Sequence, residues 1–334
     1  MENKVKFAPN PSLKLMDQVL ETLRYYHYAR STEKIYCQWI QRYIYFYGKK
    51  RHPKEMGASE IERFLSHLAT VENVAASTQR QALNALVFFY RDVLLSPLDG
   101  SIAPVRAKRN RNLPTVLTED EVMRLFEQMK GTHLLMARLI YASGMRLMEC
   151  IRLRIQDVDF GQGKIFVRAG KGGKDRMTYL PQLLREELHQ HIERVKGLHR
   201  RDLQEGFGEV YLPNALAKKY KNAAWETPWQ YVFPGRSRSI DPRGGKERRH
   251  HVLESGLQKA VKRAVQKAGI DKRATVYTLR HSFATHMLEH GMNIRVLQEL
   301  LGHADVKTTE IYTHVMRKDI DAIQNPLDRL YSQR

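Results

Sequence analysis

The sequence predicts a mainly α protein: a four-helix N-terminal unit, then an α-rich unit carrying a small antiparallel sheet. Three observations predict it. Through the first hundred residues apolar side chains recur at helical spacing, with no alternating run. A proline- and arginine-rich stretch at 97–114 then breaks the pattern. Beyond it, one Gly-rich turn at 170–174 separates two β-rich segments, and the remainder is again largely helical.

The first helix is expected over 11–28 and the second over 32–47, with Trp39, Ile40, Tyr43, Ile44 and Tyr47 on one stripe. Ser59 and Glu62 read as a capping box opening a third helix, with Ile61, Phe64, Leu65 and Leu68 inward. A fourth over 78–95 carries Leu83, Leu86, Val87 and Tyr90. The aromatics of this unit read as bundle core rather than base-stacking platforms. Residues 101–116 form an expected linker whose Arg106, Lys108, Arg109 and Arg111 either strap phosphates or are simply solvated. The second unit, 117–316, opens with a Thr118–Glu121 capping box and helix to about 142. A hairpin follows, 164–168 paired with 176–180, then a helix over 183–195. An extra stretch near 197–229 contains a short basic helix at 212–220. A tail, 317–334, has an apolar face broken by Pro326.

Charge narrows the partner. Lys and Arg number 56 against 36 Asp and Glu, a formal +20, and such a field attracts polyanions, nucleic acid foremost. A basic membrane-surface protein would want an amphipathic anchor or lipidation site, and neither is visible. No signal peptide or membrane-spanning window is seen, and two cysteines, Cys37 and Cys150, build no disulfide framework. A cytoplasmic protein without membrane contact is expected.

The chemistry gathers late in the chain. Arg280 opens an apolar-faced helix that Gly291 ends. Asn293 caps the next, Gly302 stops it, His303 emerges, and Tyr312 follows on a further helix. Tyr312 can attack a phosphodiester while Arg280 and His303 hold the charge that builds on phosphorus. Earlier, Arg146 follows Gly144, with Glu149 one turn on to orient it or merely to pair with it. Lys171, at the Gly-rich tip, can donate a proton to a leaving oxygen, though lysine in a turn is ordinary. His281, His286 and His314 read as packing neighbours.

Arg146, Lys171, Arg280, His303 and Tyr312, with Leu301-Gly302-His303 and the run Thr308 to His314, resemble in order and spacing the active site of the tyrosine recombinases. The likeness spans the chain, the first unit resembling the family's core-binding domain and the second its catalytic domain. It implies a mechanism. Tyr312 forms a 3′-phosphotyrosine and frees a 5′-hydroxyl, Arg146 and Arg280 clamp the non-bridging oxygens, His303 adds a hydrogen bond, and Lys171 protonates the leaving oxygen. No metal or other cofactor is implied, and the working assembly would be a homo-tetramer on two DNA sites. One position departs: the family usually carries His three residues before the second arginine, and here it is Tyr277. A phenol is a poor base at neutral pH. The change is tolerated, slows cleavage or is engineered, and the sequence leaves all three open.

The extra stretch, with Leu212-Pro213 and Trp229 to Pro234, resembles the insertion of the integron integrases. That likeness implies folded single-stranded hairpin sites with extrahelical bases as well as duplex DNA. Trp229, Pro242, His250 and His251 are the candidates to grip such bases, stacking being worth about 1–3 kcal/mol per base. Trp229 before Tyr231-Val232-Phe233 reads equally as core, whereas His250 and His251 in a basic loop read as open. No third ligand suits a zinc site there. The tail would pack on its own domain or be donated to a neighbour. Competing readings are a phage-type or chromosome-dimer-resolving recombinase limited to duplex DNA, a DNA-binding protein without catalysis, and a type IB topoisomerase-like relaxase.

Overall fold

The computed structural model describes residues 7–49, 51–98, 102–107, 113–168, 175–242 and 244–313. The chain divides into two compact units, Met1–Asn112 and Leu113–Arg334. It is mainly helical with small antiparallel sheets.

In the first unit four helices, α1 (Leu15–Tyr25), α2 (Arg30–Phe46), α3 (Ala58–Thr70) and α4 (Ala76–Phe88), enclose an aromatic-rich core. A π-helical turn, Phe89–Val93, continues α4. Tyr43 and Tyr90 are buried, and their hydroxyls lie 3.0 Å apart. Tyr90 donates onward to the Pro53 carbonyl at 2.9 Å, so neither phenol is left unsatisfied. Burial lifts both phenols, Tyr90 to about 12.

Two expectations for this unit need correction. The third helix is capped two residues early: the Gly57 N–H donates to Glu60 Oε2 at 2.8 Å, so Glu60, not Glu62, closes the box. Glu62 instead accepts from the Ala103 N–H. The segment after Pro97 is also less free than a linker. Val105 N–H donates to Ser66 Oγ at 3.1 Å. Gln79 is buried in α4 and acts as a clasp, donating to the Leu65 and Val105 carbonyls at 3.0 and 2.7 Å and accepting from Ala107 N–H at 3.0 Å. Arg106 is exposed. Lys108, Arg109 and Arg111 lie outside the described residues.

The second unit is built around α6 (Gly131–Ser143), whose Leu135, Met136, Leu139 and Ile140 are buried. Around it pack α5 (Glu119–Glu127), α7 (Leu147–Ile151), α10 (Glu254–Lys267) and α11 (Val276–Glu289). Thr118 and Glu121 form the expected box, with bonds of 3.1 and 2.7 Å. A three-stranded antiparallel sheet, β1 (Val158–Asp159), β2 (Lys164–Val167) and β3 (Arg176–Tyr179), pairs Lys164 with Tyr179 and Val167 with Arg176. Thr178 Oγ1 pins β3 to the end of α6 through the Ser143 carbonyl at 2.8 Å. The last helices among the described residues are α12 (Ile294–Leu301) and α13 (Lys307–Glu310).

Between the sheet and α10, α8 runs Arg185–Gln204, well past the expected end at 195. His191, Ile192, Val195, His199 and Asp202 keep one face inward throughout, which carries the helix over Gly197. The short helix α9 (Asn214–Lys219) follows, then the hairpin β4 (Ser239–Ile240) with β5 (Glu247–Arg248). His199 Nε2 donates to the Trp225 carbonyl at 2.9 Å, and Arg154 holds the Tyr211 carbonyl at 2.8 Å and the Trp229 carbonyl. The extra stretch is therefore folded down, with its own small core of Val210, Leu212, Ala223 and Tyr231. Its arginines are heavily paired: Arg249 with Asp202, Arg238 with Glu205 and Glu247, Arg248 with Asp241 and Glu209. Among the described residues no helix is long and apolar enough to cross a membrane.

Gln79→Ala should release residues 102–107, because its two hydrogen bonds to that segment and a third to Leu65 disappear together. Denaturant unfolding should show a loss of about 1–3 kcal/mol. Limited proteolysis should cut faster after Arg106, and unchanged cleavage there would contradict the clasp.

Candidate functional site

Three arginines meet at the C-terminal end of α12. Helix ends leave carbonyls without intrahelical donors, and those carbonyls carry partial negative charge. Here the Leu300 carbonyl accepts from Arg176 Nε at 2.8 Å, Leu301 from Arg280 Nη2 at 2.7 Å, and Gly302 from Arg146 Nη2 at 3.4 Å. Gly302 caps the helix with φ +63°, and a Cβ there would stand 2.7 Å from Arg176 Cδ. Glycine thus supplies both the left-handed turn and the space for a guanidinium stem.

Arg146 enters from the other wall. Gly144 ends α6 with φ +65°; an added Cβ would lie 2.5 Å from the Phe283 ring and 2.9 Å from Leu301 Cδ2. This close turn aims the Gly144 carbonyl at Arg280 Nη1 and starts α7 at Arg146. Glu149, one turn on, accepts four hydrogen bonds: Arg146 N–H at 2.7 Å, Arg146 Nη1 at 2.8 Å, and Arg176 Nη1 and Nη2 at 2.9 and 2.7 Å. Burial by itself would raise this carboxyl. The bonds and charges of Arg176 and then Arg146 outweigh it and hold Glu149 at about 2.

Arg280 is 3% exposed. Burial first, and then the like charge of Arg146, bring its guanidinium down to about 10, which leaves it charged at neutral pH. It also donates to His303 Nε2 at 3.0 Å. Arginine cannot accept, so Nε2 is the acceptor, and His303 Nδ1 carries the hydrogen that it gives to Thr309 Oγ1 at 2.9 Å. Tyr312, 1% exposed, packs among Phe283, Leu297 and Leu301, its ring parallel to His303 at 6.3 Å. Its hydroxyl is 3.0 Å from His281 Nδ1. Burial raises the phenol, opposed by the charges of Arg280 and Arg146.

Arg146, Arg280, His303 and Tyr312, picked out from spacing, are thus brought together in one subunit. Lys171 lies outside the described residues, as does the tail from 314. Tyr277 stands on the first turn of α11, 54% exposed, and among the described residues shares no hydrogen bond with the cluster. Sequence reasoning missed Arg176 and Thr309, and it read His281 only as packing. A signal for His281 existed: it lies one helical turn after Tyr277 and next to Arg280. Arg176 could have been suspected as an arginine facing inward on a strand.

The base-gripping candidates are dispersed. Trp229 is half-buried, tilted against Tyr220 at 5.9 Å. Pro242 is exposed. The expectation of an open histidine pair is not met. His251 sets its ring against the Tyr231 edge at 5.2 Å and donates from Nδ1 to the Val252 carbonyl at 2.8 Å. His250 is half-buried, and its Nε2 is enclosed without a hydrogen-bond partner in the structure. Burial pushes both imidazoles below their usual range. The reason is local: bridging of Pro234 with His251 draws the segment onto the domain.

The fold agrees with comparison to known proteins. Residues 115–318 match the phage integrase family, and residues 15–99 match the phage integrase N-terminal SAM-like domain. An integrase/recombinase of Escherichia coli is 47% identical over 98% of this chain and 98% of its own. Tyrosine recombinase XerA of Thermococcus kodakarensis is 32% identical over 85% of this chain and 84% of its own. The structure of the Tn1549 transposon integrase in complex with transposon right end DNA superposes with a TM-score of 0.57, at 12% identity, over 96% of this chain and 98% of that one. The chain belongs to the phage integrase family and is a tyrosine recombinase, a DNA-binding enzyme of site-specific recombination.

The Glu149 node makes acid unfolding a direct probe. Its folded-state value of about 2 lies below the ordinary 4.5, so its stabilisation is full above about 4.5 and is lost as pH falls through 2. That loss amounts to about 3 kcal/mol. Glu149→Gln should be less stable at neutral pH and should lack this part of the acid slope, read by denaturant unfolding at each pH. Parallel slopes in the two proteins would dismiss the node.

Proposed function

We propose that this chain is an integron-type recombinase that cleaves and rejoins DNA through a 3′-phosphotyrosine. The observation that carries the reading is the convergence of Arg146, Arg280 and His303 on the Tyr312 hydroxyl within one subunit. The Tyr312 oxygen bonds to phosphorus as the bond to the 5′-oxygen breaks. Arg146 and Arg280 clamp the non-bridging oxygens, where charge-assisted bonds are strongest. His303 donates from Nε2 once a phosphate oxygen replaces its present contact and the ring hydrogen has shifted from Nδ1 to Nε2, Thr309 then donating its hydroxyl hydrogen to Nδ1. Lys171 supplies the proton to the departing 5′-oxygen. The phosphotyrosine retains the energy of the broken bond, so a 5′-hydroxyl of a partner strand reverses the step. Four copies on two synapsed sites form the working assembly.

The partner is DNA, duplex and folded hairpin. Support comes from the +20 charge, from the DNA-bound transposon integrase of like fold, and from the folded stretch bearing Trp229, which a duplex-only enzyme has less need of. One observation favours the duplex-only alternative: the rings of Trp229 and His251 are already engaged by Tyr220 and Tyr231. Residues 106–111 serve as the phosphate strap in either case.

A pool of nicked duplex and bulged-hairpin oligonucleotides of randomised sequence yields the substrate, since members that become covalently attached can be recovered from denaturing gels. Tyr312→Phe should bind the recovered DNA with unchanged affinity and form no adduct; an adduct with this variant removes the nucleophile assignment. Trp229→Ala should weaken bulged-hairpin binding about 10-fold or more relative to a fully paired counterpart, given about 1–3 kcal/mol per stacked base. Equal losses on both would favour the duplex-only enzyme. Neutralising Arg106, Lys108, Arg109 and Arg111 together should lower the slope of log affinity against log salt by up to about 3–4. An unaltered slope would remove the strap.

A further inference from the structure

Something must take the phenolic proton of Tyr312 when its oxygen attacks. The groups gathered at the site narrow the choice. Arg146 and Arg280 are donors without a lone pair. The Nε2 lone pair of His303 already accepts from Arg280, and its Nδ1 carries the hydrogen held by Thr309. Glu149 is saturated by four bonds from two arginines. Tyr277 is exposed and bears no basic nitrogen. His281 remains, on the turn of α11 after Tyr277, with Nδ1 3.0 Å from the Tyr312 oxygen and the ring centres 5.6 Å apart.

We propose that His281 is the proton acceptor for Tyr312, a catalytic role that rests on Tyr312 being the nucleophile. The polarity of the contact follows from its surroundings. The arginine groups bearing on the Tyr312 oxygen only donate, so the phenolic hydrogen points to His281 Nδ1, whose own hydrogen then sits on Nε2. Burial, and after it the neighbouring Arg280 charge, lower His281 and keep that lone pair free at neutral pH. As the Tyr312 oxygen–phosphorus bond forms and the phosphorus–5′-oxygen bond breaks, the phenolic proton passes to Nδ1. The 5′-oxygen takes its proton from the acid assigned to that role above, Lys171. On rejoining, the tyrosine oxygen leaves and recovers the proton from His281, so nothing is consumed. The ring also fixes the direction of the hydroxyl before DNA arrives.

The test separates proton transfer from positioning. His281→Asn keeps a polar atom near the Nδ1 place and can still bond Tyr312, but has no basicity. His281→Ala removes both. Single-turnover adduct formation is measured on the nicked DNA recovered with the wild type, with tyrosine or 3,5-difluorotyrosine at position 312. The fluorinated phenol is far more acidic than tyrosine and needs correspondingly less help from a base. With tyrosine, both variants should slow adduct formation about 10²–10⁴-fold. With difluorotyrosine the deficit should shrink to within about 10-fold of the matching wild type, in keeping with a lost base. Wild-type rates in His281→Asn would overturn the proposal, as would a deficit that the fluorinated nucleophile leaves unchanged. Tyr312→Phe run alongside distinguishes the two assignments. If it forms an adduct, or the wild type captures no DNA, the nucleophile reading fails and this one with it. If it is inert while His281→Asn and His281→Ala cleave at full speed, only the role of His281 fails.

Discussion

Three guanidiniums share one helix terminus, and much of the site depends on that arrangement. Arginines 176, 280 and 146 each take one of the successive carbonyls 300, 301 and 302 at the end of α12. Like charges gathered this closely repel, and burial adds a desolvation cost. The negative end of the helix and the single carboxylate of Glu149 offset both. The result is a pocket wall held together by cations that are only partly neutralised. Such a wall is preorganised for an anion, because its donors need no rearrangement of backbone to meet one.

The arrangement also links elements far apart in the chain. Arg176 opens β3, which pairs with β2. Its side chain reaches both Glu149, which orients Arg146, and the terminus from which His303 emerges. A shift of the strand would therefore be felt at both walls. Arg176 touches neither Tyr312 nor a reacting atom; it is a positioning residue. Gly144 and Gly302 make the close approach possible, one letting α6 end against Phe283 and Leu301, the other letting α12 end against Arg176.

Much of this was legible beforehand, for physical reasons. Helical periodicity is a local signal, and it gave the four-helix unit and the α-rich unit, while a Gly-rich turn between β-rich segments gave the hairpin. The glycine stops at 144 and 302, the Thr118 cap and the run from Arg280 to Tyr312 are likewise local, so the main site residues could be chosen from spacing. What stayed hidden is tertiary. Arg176 matters through a carboxylate 27 residues away and a carbonyl 124 away. Residues 102–107 look like linker by composition, yet Gln79 ties them down with bonds that no composition encodes. Gly197 suggested a helix end, but the buried face of α8 overrode a residue whose cost there is modest. His250 and His251 read as open because they end a basic run that begins at Arg236. Its arginines in fact answer acids brought in from α8 and its own hairpin, Asp202 and Glu205 from the first and Asp241 and Glu247 from the second.

Tyr312 sits just past α13, a helix of four residues, its N–H bonded to the Thr309 carbonyl at 3.1 Å. So brief a support has little cooperative strength of its own. What keeps the phenol in place is mostly apolar contact with Phe283, Leu297 and Leu301, together with the imidazoles on either side. Dislodging it would expose one aromatic ring and release its contacts with Arg280 and His303. On the proposed mechanism the attacking oxygen lies sheathed in this conformation, and a small local opening would unsheathe it.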